Sequence, residues 1–589
     1  MLSPRAQSAP MKRFGTYSIA WHPGTYRVRL ASFFDGQRFY RYEHVEDLLA
    51  EMLSPRRSGS HYFAHCGGLA DIQFIIPFLR KMPKVKAYAI FAGASAIVLD
   101  VRSAKNRWLF CDSYWLFREP LEDVIKDFTG ETVKDLDTAS MNYSDLSQWV
   151  ADRCRGLCYS IGKFQAAIRK LGGSVRSTAA STSMALFLEG GYLSKPLRTH
   201  QPTNRIARLG YHGSRVENIW RSCGAANLYD MNAAHASEMA SRTLPGEVDR
   251  SDRDLPKTHT GDPFLACVRL KSDGEFPAIA YKTHGRTFFP NGTFDAWISN
   301  ADLEALSIDV AGGSRGTKIE EVYEVIHFKP FDDLKRYADK LWKIKEQGGI
   351  LGRVASSMYK SFYGKWAQRP ETFRVLFGHF DGKCPHKDPS HVDEETNMLS
   401  CVVQIQPGVF KISEYKPAAH EWVPIAQGIA SGTMCRELKL ISKCVRRGGK
   451  VFNFDTDNVF TTAELETSRN LGEIKLVDRV RRGIFAAPKT YLYENAHGEV
   501  ITRAAGMPEL NEAEFMQYIA GDGFDYLRMA RLPEQFAQGV IEPHDVHQHR
   551  KQNKNDLEKR RFLPTGGSVP WDRSEIDGYY SSKKLTVSL

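Results

Sequence analysis

The segment VFNFDTDNVFTT, residues 451–462, constrains the fold of this chain more than any other. Two short apolar runs flank Asp455-Thr456-Asp457, which reads as two strands joined by a tight turn. Two carboxylates on such a turn cannot be core, because each needs a partner once desolvated and the two repel one another. One reading is a turn that leaves both acids in water; the other is a site that neutralises them with divalent cations. NLYDMNAAHASEMA, residues 227–240, has a comparable form, an apolar strand that delivers Asp230 at its end just before a helix begins. There the alternative to a ligand is an aspartate capping free backbone amides.

The chain of 589 residues is long enough for several domains, and its hydrophobic (42%) and charged (25%) shares are those of a globular protein. Lys and Arg (80) exceed Asp and Glu (69), a net charge of +11 that favours a polyanionic partner. The ten cysteines show no disulfide spacing, no signal peptide opens the chain and no apolar run reaches the roughly 18 residues of a spanning helix. The expectation is a soluble protein of a reducing interior, cytoplasmic in a bacterial or host cell, neither secreted nor membrane-bound. A Gly-rich phosphate loop is missing, which argues against a helicase.

Local punctuation predicts the organisation. Met1 to Lys12 is a loose basic lead-in. Thr16 to Phe34 alternates β-branched and aromatic residues with polar ones around Pro23-Gly24, a hairpin. A helix Val45 to Met52, then a strand, a turn at Gly67-Gly68, an amphipathic helix and a second long helix (VADRCRGLCYSIGKFQAAIRKL) complete an α/β unit. The polar LSKPLRTHQPTNRIARLG, ending at Gly210, is read as the boundary. Beyond it come a basic helical stretch from Asp332 to about Trp366, an irregular loop from Arg369 to Glu421, a helix from about Ala426 to Arg447, and a polar, helical end after Ala505. Cys384, His386, His391 and Cys401 fit no zinc-finger spacing. Cys154 and Cys158 read as buried thiols, and Tyr359, Phe362 and Trp366 as core packing.

The order of these motifs resembles the family B DNA polymerases. Asp230 and the Asp-Thr-Asp turn are similar to that family's two catalytic acidic motifs. Between them, RVASSMYKSFYGKWAQRP, beginning at Arg353, resembles the fingers helix, with Tyr363, Gly364 and Lys365 at its end. AAPKTYLYE resembles the Lys-x-Tyr motif that grips a primer, giving Lys489 and Tyr491. RLGYHGSRVENIW, with Tyr211 and Gly213, looks like the linker between exonuclease and polymerase modules. Together with the space for insertions, this resembles the protein-primed subgroup.

The resemblance implies an α/β (α+β) chain: an RNase-H-like exonuclease-type domain, then a right-hand palm, fingers and thumb. The expected parts are 1–195 exonuclease-like; 196–241 palm; 242–331 an insertion of the terminal-protein-region type; 332–368 fingers; 369–420 a second insertion; 421–505 palm; and 506–589 thumb and tail. It implies templated addition of dNTPs to a primer 3′-hydroxyl, with two Mg²⁺ (or Mn²⁺) ions held by Asp230, Asp457 and Asp455. DNA primer-template, dNTPs and a terminal-protein primer are the implied partners of a monomer.

This chain departs from the family in two places. The first strand, YSIAWHPG, places Ala20 and His22 where the nuclease acids belong, and Cys66 stands in the next motif, with Asp71 retained and Asp152 in the third. The expectation is a domain that has lost proofreading. In the fingers, Ser356 replaces the triphosphate Lys, so one or both of Arg353 and Lys360, on roughly the same helical face, are expected to take over that contact. His235 stands where an aromatic packs under the sugar, and Asn458 where Ser is common. The basic run Arg550 to Arg561 reads as a thumb helix facing the duplex. The rival readings are a polymerase-fold nucleotidyltransferase with altered template or sugar dependence, and a non-catalytic DNA-binding relative.

Overall fold

The computed structural model describes residues 13–134, 136–310, 316–379, 402–415, 417–507, 509–551 and 557–587. At the N-terminal end the alternating pattern forms the expected hairpin, Phe14–Trp21 with Val28–Phe34. Phe14–Trp21 also pairs in parallel with His61–Ala64, which pairs in parallel with Asn106–Asp112. Helices Val45–Met52 and Asp71–Lys81 lie where the sequence places them. The long helix starts earlier than its apolar pattern suggests, running Tyr143–Lys170, because Asn142 caps it by accepting from the Asp145 N–H. Cys154 and Cys158 are buried in it.

This first sheet has ten strands, and its far edge corrects the reading of 369–421 as an irregular loop. Glu371–Phe377, Val402–Gln406 and Val409–Tyr415 are strands, and the first pairs with Val85–Ala92. Their partner strand lies far upstream in the chain, so no local pattern reveals it. Cys384, His386, His391 and Cys401 lie outside the described residues. The polar boundary also differs: Gln201–Gly210 is a helix with Pro202 in its first turn, packed on Val423–Arg446. Its Arg208 pairs with the buried Glu421 at 2.7 Å.

The second sheet carries Ala226–Met231 between Asn458–Thr461 and Ile474–Ala487, antiparallel to both. Helix Val423–Arg446 is buried along nearly its whole length and covers one face of that sheet. Leu438 and Ile441 pack there on Tyr229, Met231 and Phe454, each such burial worth about 1.5–3 kcal/mol. Phe460, Phe485 and Tyr493 pack on the other face. A four-stranded sheet of Leu244–Asp252, Gly316–Phe331, Phe264–Asp273 and Gly292–Ser299 stands in the interval after Asp230.

The basic stretch from Asp332 is two helices, Asp333–Glu346 and Gly349–Phe362. They are broken at Gly348-Gly349, whose φ of +71 and +63 suits glycine. Tyr359, Phe362 and Trp366 are core. The C-terminal part is mixed rather than helical. Phe524–Met529 and Asp545–Arg550 form a hairpin, and the described residues between Arg550 and Arg561 contain no helix. The alternating burial of Asp545–Arg550 marks a half-exposed strand, a period of two that its charge obscured. No described helix is long and apolar enough to cross a membrane.

Candidate active site

Asp230, Asp455 and Asp457 come together through strand register. Asp230 and Asp455 both pair with Asn458, from opposite sides of the strand Asn458–Thr461. Thr456 sits at φ +63, unusual for a β-branched residue, and its N–H donates to the Arg215 carbonyl at 2.9 Å. The Met231 N–H donates to the Asp457 carbonyl at 2.9 Å, so two distant segments hold the turn. Burial, and then the charges of Asp230 and Asp455, push the Asp457 carboxyl up to about 6. Lys475 Nζ stands 2.8 Å from Asp230 Oδ1, and Lys489 Nζ 3.7 Å from Asp455 Oδ1. Lys475 escaped the sequence reading; only its register opposite Asp230 reveals it.

Among the described residues no group of three His, Cys, Asp or Glu is gathered to hold one metal ion. At this turn the two ammonium groups stand beside the acids instead. The donor chemistry nevertheless fits a hard divalent cation: the side chains are carboxylates, and the repulsion of Asp230 and Asp455 that helps raise Asp457 is what a cation relieves.

A cationic patch adjoins the acids. Lys345, on helix Asp333–Glu346, is pushed down by burial and then by the charges of Lys360 and Lys475. Lys345 was invisible in local spacing because it and Lys360 meet only when the two helices pack antiparallel. Of the two cations read for the phosphate contact, Arg353 is engaged elsewhere. Its guanidinium pairs with Glu119 and Asp127 of the N-terminal unit and is not left for a phosphate. Arg353 and Lys360 share a face but lie two turns apart, about 10 Å along the axis, and so reach different neighbours.

The His235 ring stacks on Tyr363 with centroids 4.1 Å apart and planes 14° from parallel. Burial pushes the imidazole down to about 4, hence neutral at pH 7, and the Tyr363 phenol up to about 12, with Tyr211 close by. A Cβ at Gly364 or Gly213 would meet nothing within 4 Å, so protein packing does not call for glycine at either. Lys365 is largely buried and donates to Gln368 Oε1 at 2.6 Å. It lines a cavity of about 1040 Å³ with Arg169 and His420. Lys489, at φ +59, occupies the two-residue turn between Ile474–Ala487 and Thr490–Asn495. Tyr491 follows, its phenol raised by burial and then by Asp455.

In the N-terminal unit, Ala20 pairs with Leu30 just before a bulge, Trp21 pairs with Val28 beyond it, and His22 lies just past the strand. Asp71 accepts from the Ile19 N–H at 2.7 Å, and burial, with Asp112 adding, pushes its carboxyl up to about 7. Asp112 escaped the sequence reading, although WLFCD delivers an acid at a strand end much as NLYD does. It accepts from the N–H groups of Gly68 (3.2 Å) and Tyr114 (3.0 Å) and is raised to about 6 by burial. Cys66 sits at φ +57, its thiol pushed up to about 12 by burial and then by Asp112. Asp152 is half-exposed, bonded to Gln148 and Arg155; the residue of that helix that senses Asp71 is Cys154.

No protein-family model and no curated protein sequence matches the chain. Among solved structures it is similar to Phi29 DNA polymerase complexed with primer-template DNA, at TM-score 0.69 and 16% identity over 91% of this chain and 100% of that one. The ternary complex of the same polymerase with primer-template and incoming nucleotide substrates gives 0.70 and 15%, over 92% and 100%. Its orthorhombic crystal form gives 0.68 and 16%, over 91% and 100%. At such identities the likeness is one of fold, and the fold is the mixed α/β architecture of that polymerase, an exonuclease-type domain followed by palm, fingers and thumb.

Proposed function

We propose that the chain is a DNA-directed DNA polymerase of the protein-primed type, extending a primer 3′-hydroxyl with dNTPs. The observation that carries this is the meeting of Asp230, Asp455 and Asp457 beside the ammonium groups of Lys345, Lys360 and Lys475 on a polymerase fold. Asp230 and Asp457, with Asp455 close by, would hold two Mg²⁺ ions, which when bound activate the hydroxyl and neutralise the triphosphate. Lys345 and Lys360 bind the triphosphate oxygens and follow the charge onto the departing pyrophosphate. Lys475, now on Asp230, is the third cation within reach. The neutral His235 ring, backed by Tyr363, forms the floor beneath the sugar. Lys489 and Tyr491 steady the primer end. Residues 332–368 act as fingers, 242–331 and 369–420 as insertions, of which the first receives a terminal protein, and 506–589 as thumb and tail.

The same reading takes the N-terminal domain as one without proofreading. Its first strand offers no acid, Asp71 is held by the Ile19 N–H, and Asp152 is bonded to Gln148 and Arg155 of its own helix. The direct test extends a labelled primer on a defined template in Mg²⁺ or Mn²⁺, beside the Asp455→Ala, Asp457→Ala variant. Template-directed extension by wild type alone is expected. Binding of primer-template with no extension by wild type in either metal would overturn the reading.

A further inference from the structure

The short strand Val216–Asn218 pairs antiparallel with Val451–Asp455, and Val216 stands opposite Asp455, so Arg215 lies beside Thr456 of the acid turn. There the Thr456 N–H donates to the Arg215 carbonyl at 2.9 Å. On the other side of the same residue, the Arg215 N–H donates to Glu437 Oε2 at 3.0 Å. Glu437 is fully buried on helix Val423–Arg446, whose neighbouring Cys435, Leu438 and Ile441 belong to an apolar core. A carboxyl in such a place is costly unless it is hydrogen-bonded. Burial pushes it well above the carboxylate range, with the Arg215 N–H and the Arg215 charge opposing the rise.

The Arg215 side chain is tied down as well. Its guanidinium is buried, pairs with Glu217 at 2.6 Å, donates to the Pro277 carbonyl and lies 3.6 Å from the centre of the Phe289 ring. Residue 215 is therefore a fixed point against which the turn is set. What it holds is strained: Thr456, at φ +63, adopts a conformation that β-branched residues avoid, and such a conformation persists only where its surroundings over-determine it. Two contacts do so, the Arg215 carbonyl on the Thr456 N–H and the Met231 N–H on the Asp457 carbonyl. The second comes from the strand that carries Asp230, and the first leads back through Arg215 to Glu437.

We propose that Glu437 is a positioning residue for the acid turn: by accepting from the Arg215 N–H it fixes residue 215, whose carbonyl holds Thr456 in the left-handed conformation and so sets Asp455 and Asp457 against Asp230. Its kinetic consequence rests on the polymerase reading; its structural consequence does not. The experiment uses the full chain as wild type, Glu437→Gln, Glu437→Met, Glu437→Asp, Thr456→Gly and the Glu437→Met, Thr456→Gly double variant. Leu440→Ala, which empties a site in the same core, serves as the measure of lost packing alone. Single-nucleotide extension gives kcat and KM, melting gives stability, and amide hydrogen exchange reads the protection of residues 452–459 with no substrate present.

Glu437→Gln keeps an oxygen for the Arg215 N–H and is expected to match wild type in kcat within about twofold. Glu437→Met leaves that N–H without its acceptor. Its kcat is expected to fall about tenfold to a hundredfold at nearly unchanged KM, and exchange of the turn to quicken, both beyond what Leu440→Ala gives at a comparable loss of melting temperature. Glu437→Asp, which withdraws the acceptor by one methylene, reads the same loss in smaller degree where the methionine variant does not fold. Glycine at 456 takes the left-handed φ without strain, so the double variant should recover most of the lost kcat relative to Thr456→Gly alone, a rescue that lost packing would not allow. An equal fall in Glu437→Gln, a fall matched by Leu440→Ala, or no rescue by glycine overturns the proposal. Extension by wild type with kcat and exchange unmoved in Glu437→Met overturns the positioning and leaves the polymerase reading. Exchange quickened in Glu437→Met and kept in Glu437→Gln, with no extension by wild type, sinks the polymerase reading and leaves the positioning.

Discussion

Burial, and then the charges of Asp230 and Asp455, hold the Asp457 carboxyl at about 6 against an ordinary 3.8. Without metal, the folded chain therefore keeps a proton there that the unfolded chain has released. The resulting cost is nil below about pH 4, grows as pH rises towards 6, and stays near 3 kcal/mol above it at most. Asp457→Asn is thus expected to melt higher than wild type at pH 7.5 in chelator, while losing extension on the order of 100-fold or more. In Mg²⁺, which competes with the proton for this carboxylate, the wild-type rate should fall as pH drops, with a midpoint that moves down as Mg²⁺ is raised; a D457N melting point equal to wild type would remove the electrostatic argument. At His235 the expected outcome is one of selectivity. His235→Tyr puts a larger ring under the sugar and should lower ribonucleotide against deoxyribonucleotide incorporation about tenfold, read from competitive single-nucleotide extension. Asp230, Asp455 and Asp457 were legible in the sequence because a carboxylate at the end of an apolar strand contradicts its surroundings. Lys475 was not, since a lysine on a mostly exposed strand looks ordinary until register sets it opposite Asp230; Asp112 carried the same strand-end signal as Asp230, and only its buried setting beside Asp71 and Gly68 singles it out.

The helical hairpin Asp333–Glu346 and Gly349–Phe362 shows the same division one level up. Its apolar face and its Tyr-Gly-Lys end were legible, and its buried side holds Leu334, Tyr337, Tyr359 and Phe362. The partners of its charges were not, because they come from other elements: Lys475 near Lys345 and Lys360, Glu119 and Asp127 on Arg353. That last ion pair ties the hairpin to the N-terminal unit. With Arg353 about a third exposed, its direct worth to stability is about 1 kcal/mol or less, so its removal is expected to act on hairpin position rather than on folding. Arg353→Gln should raise KM for dNTP several-fold with kcat and melting temperature nearly unchanged, and added salt should narrow the difference from wild type. A kcat loss at unchanged KM in steady-state extension would instead place Arg353 at the chemistry.

At the scale of the whole molecule, the C-terminal lobe returns to the N-terminal sheet. Leu532 and Ile541 are buried in the same core as Ile72, Ile75 and Leu79, and Phe536 packs on Phe91 and Phe377. Gln73 donates to the Ala530 carbonyl at 2.9 Å and accepts from Gln535, and Tyr26 donates to Asp545. The Gln73–Ala530 bond alone spans 457 positions. No local pattern could announce such a closure, and the reading of this region as polar helix missed it for that reason. The first and last parts of the chain thus meet directly, and on the polymerase reading proposed above a bound duplex leaves when this contact opens. Leu532→Ala empties a buried site at a cost of about 2–5 kcal/mol, nearly all of it falling on the contact between the lobe and the sheet rather than on the palm. The expected outcome is faster dissociation from primer-template and shorter products under single-hit conditions, with the rate of a single nucleotide addition unchanged. Because Asp230, Asp455 and Asp457 lie on the second sheet and Leu532 packs on the first, a parallel fall in single addition would mean that the substitution had unfolded more than the closure. Unchanged product length with a lowered melting temperature would mean that the two ends meet for stability alone, and that retention of the duplex is decided elsewhere.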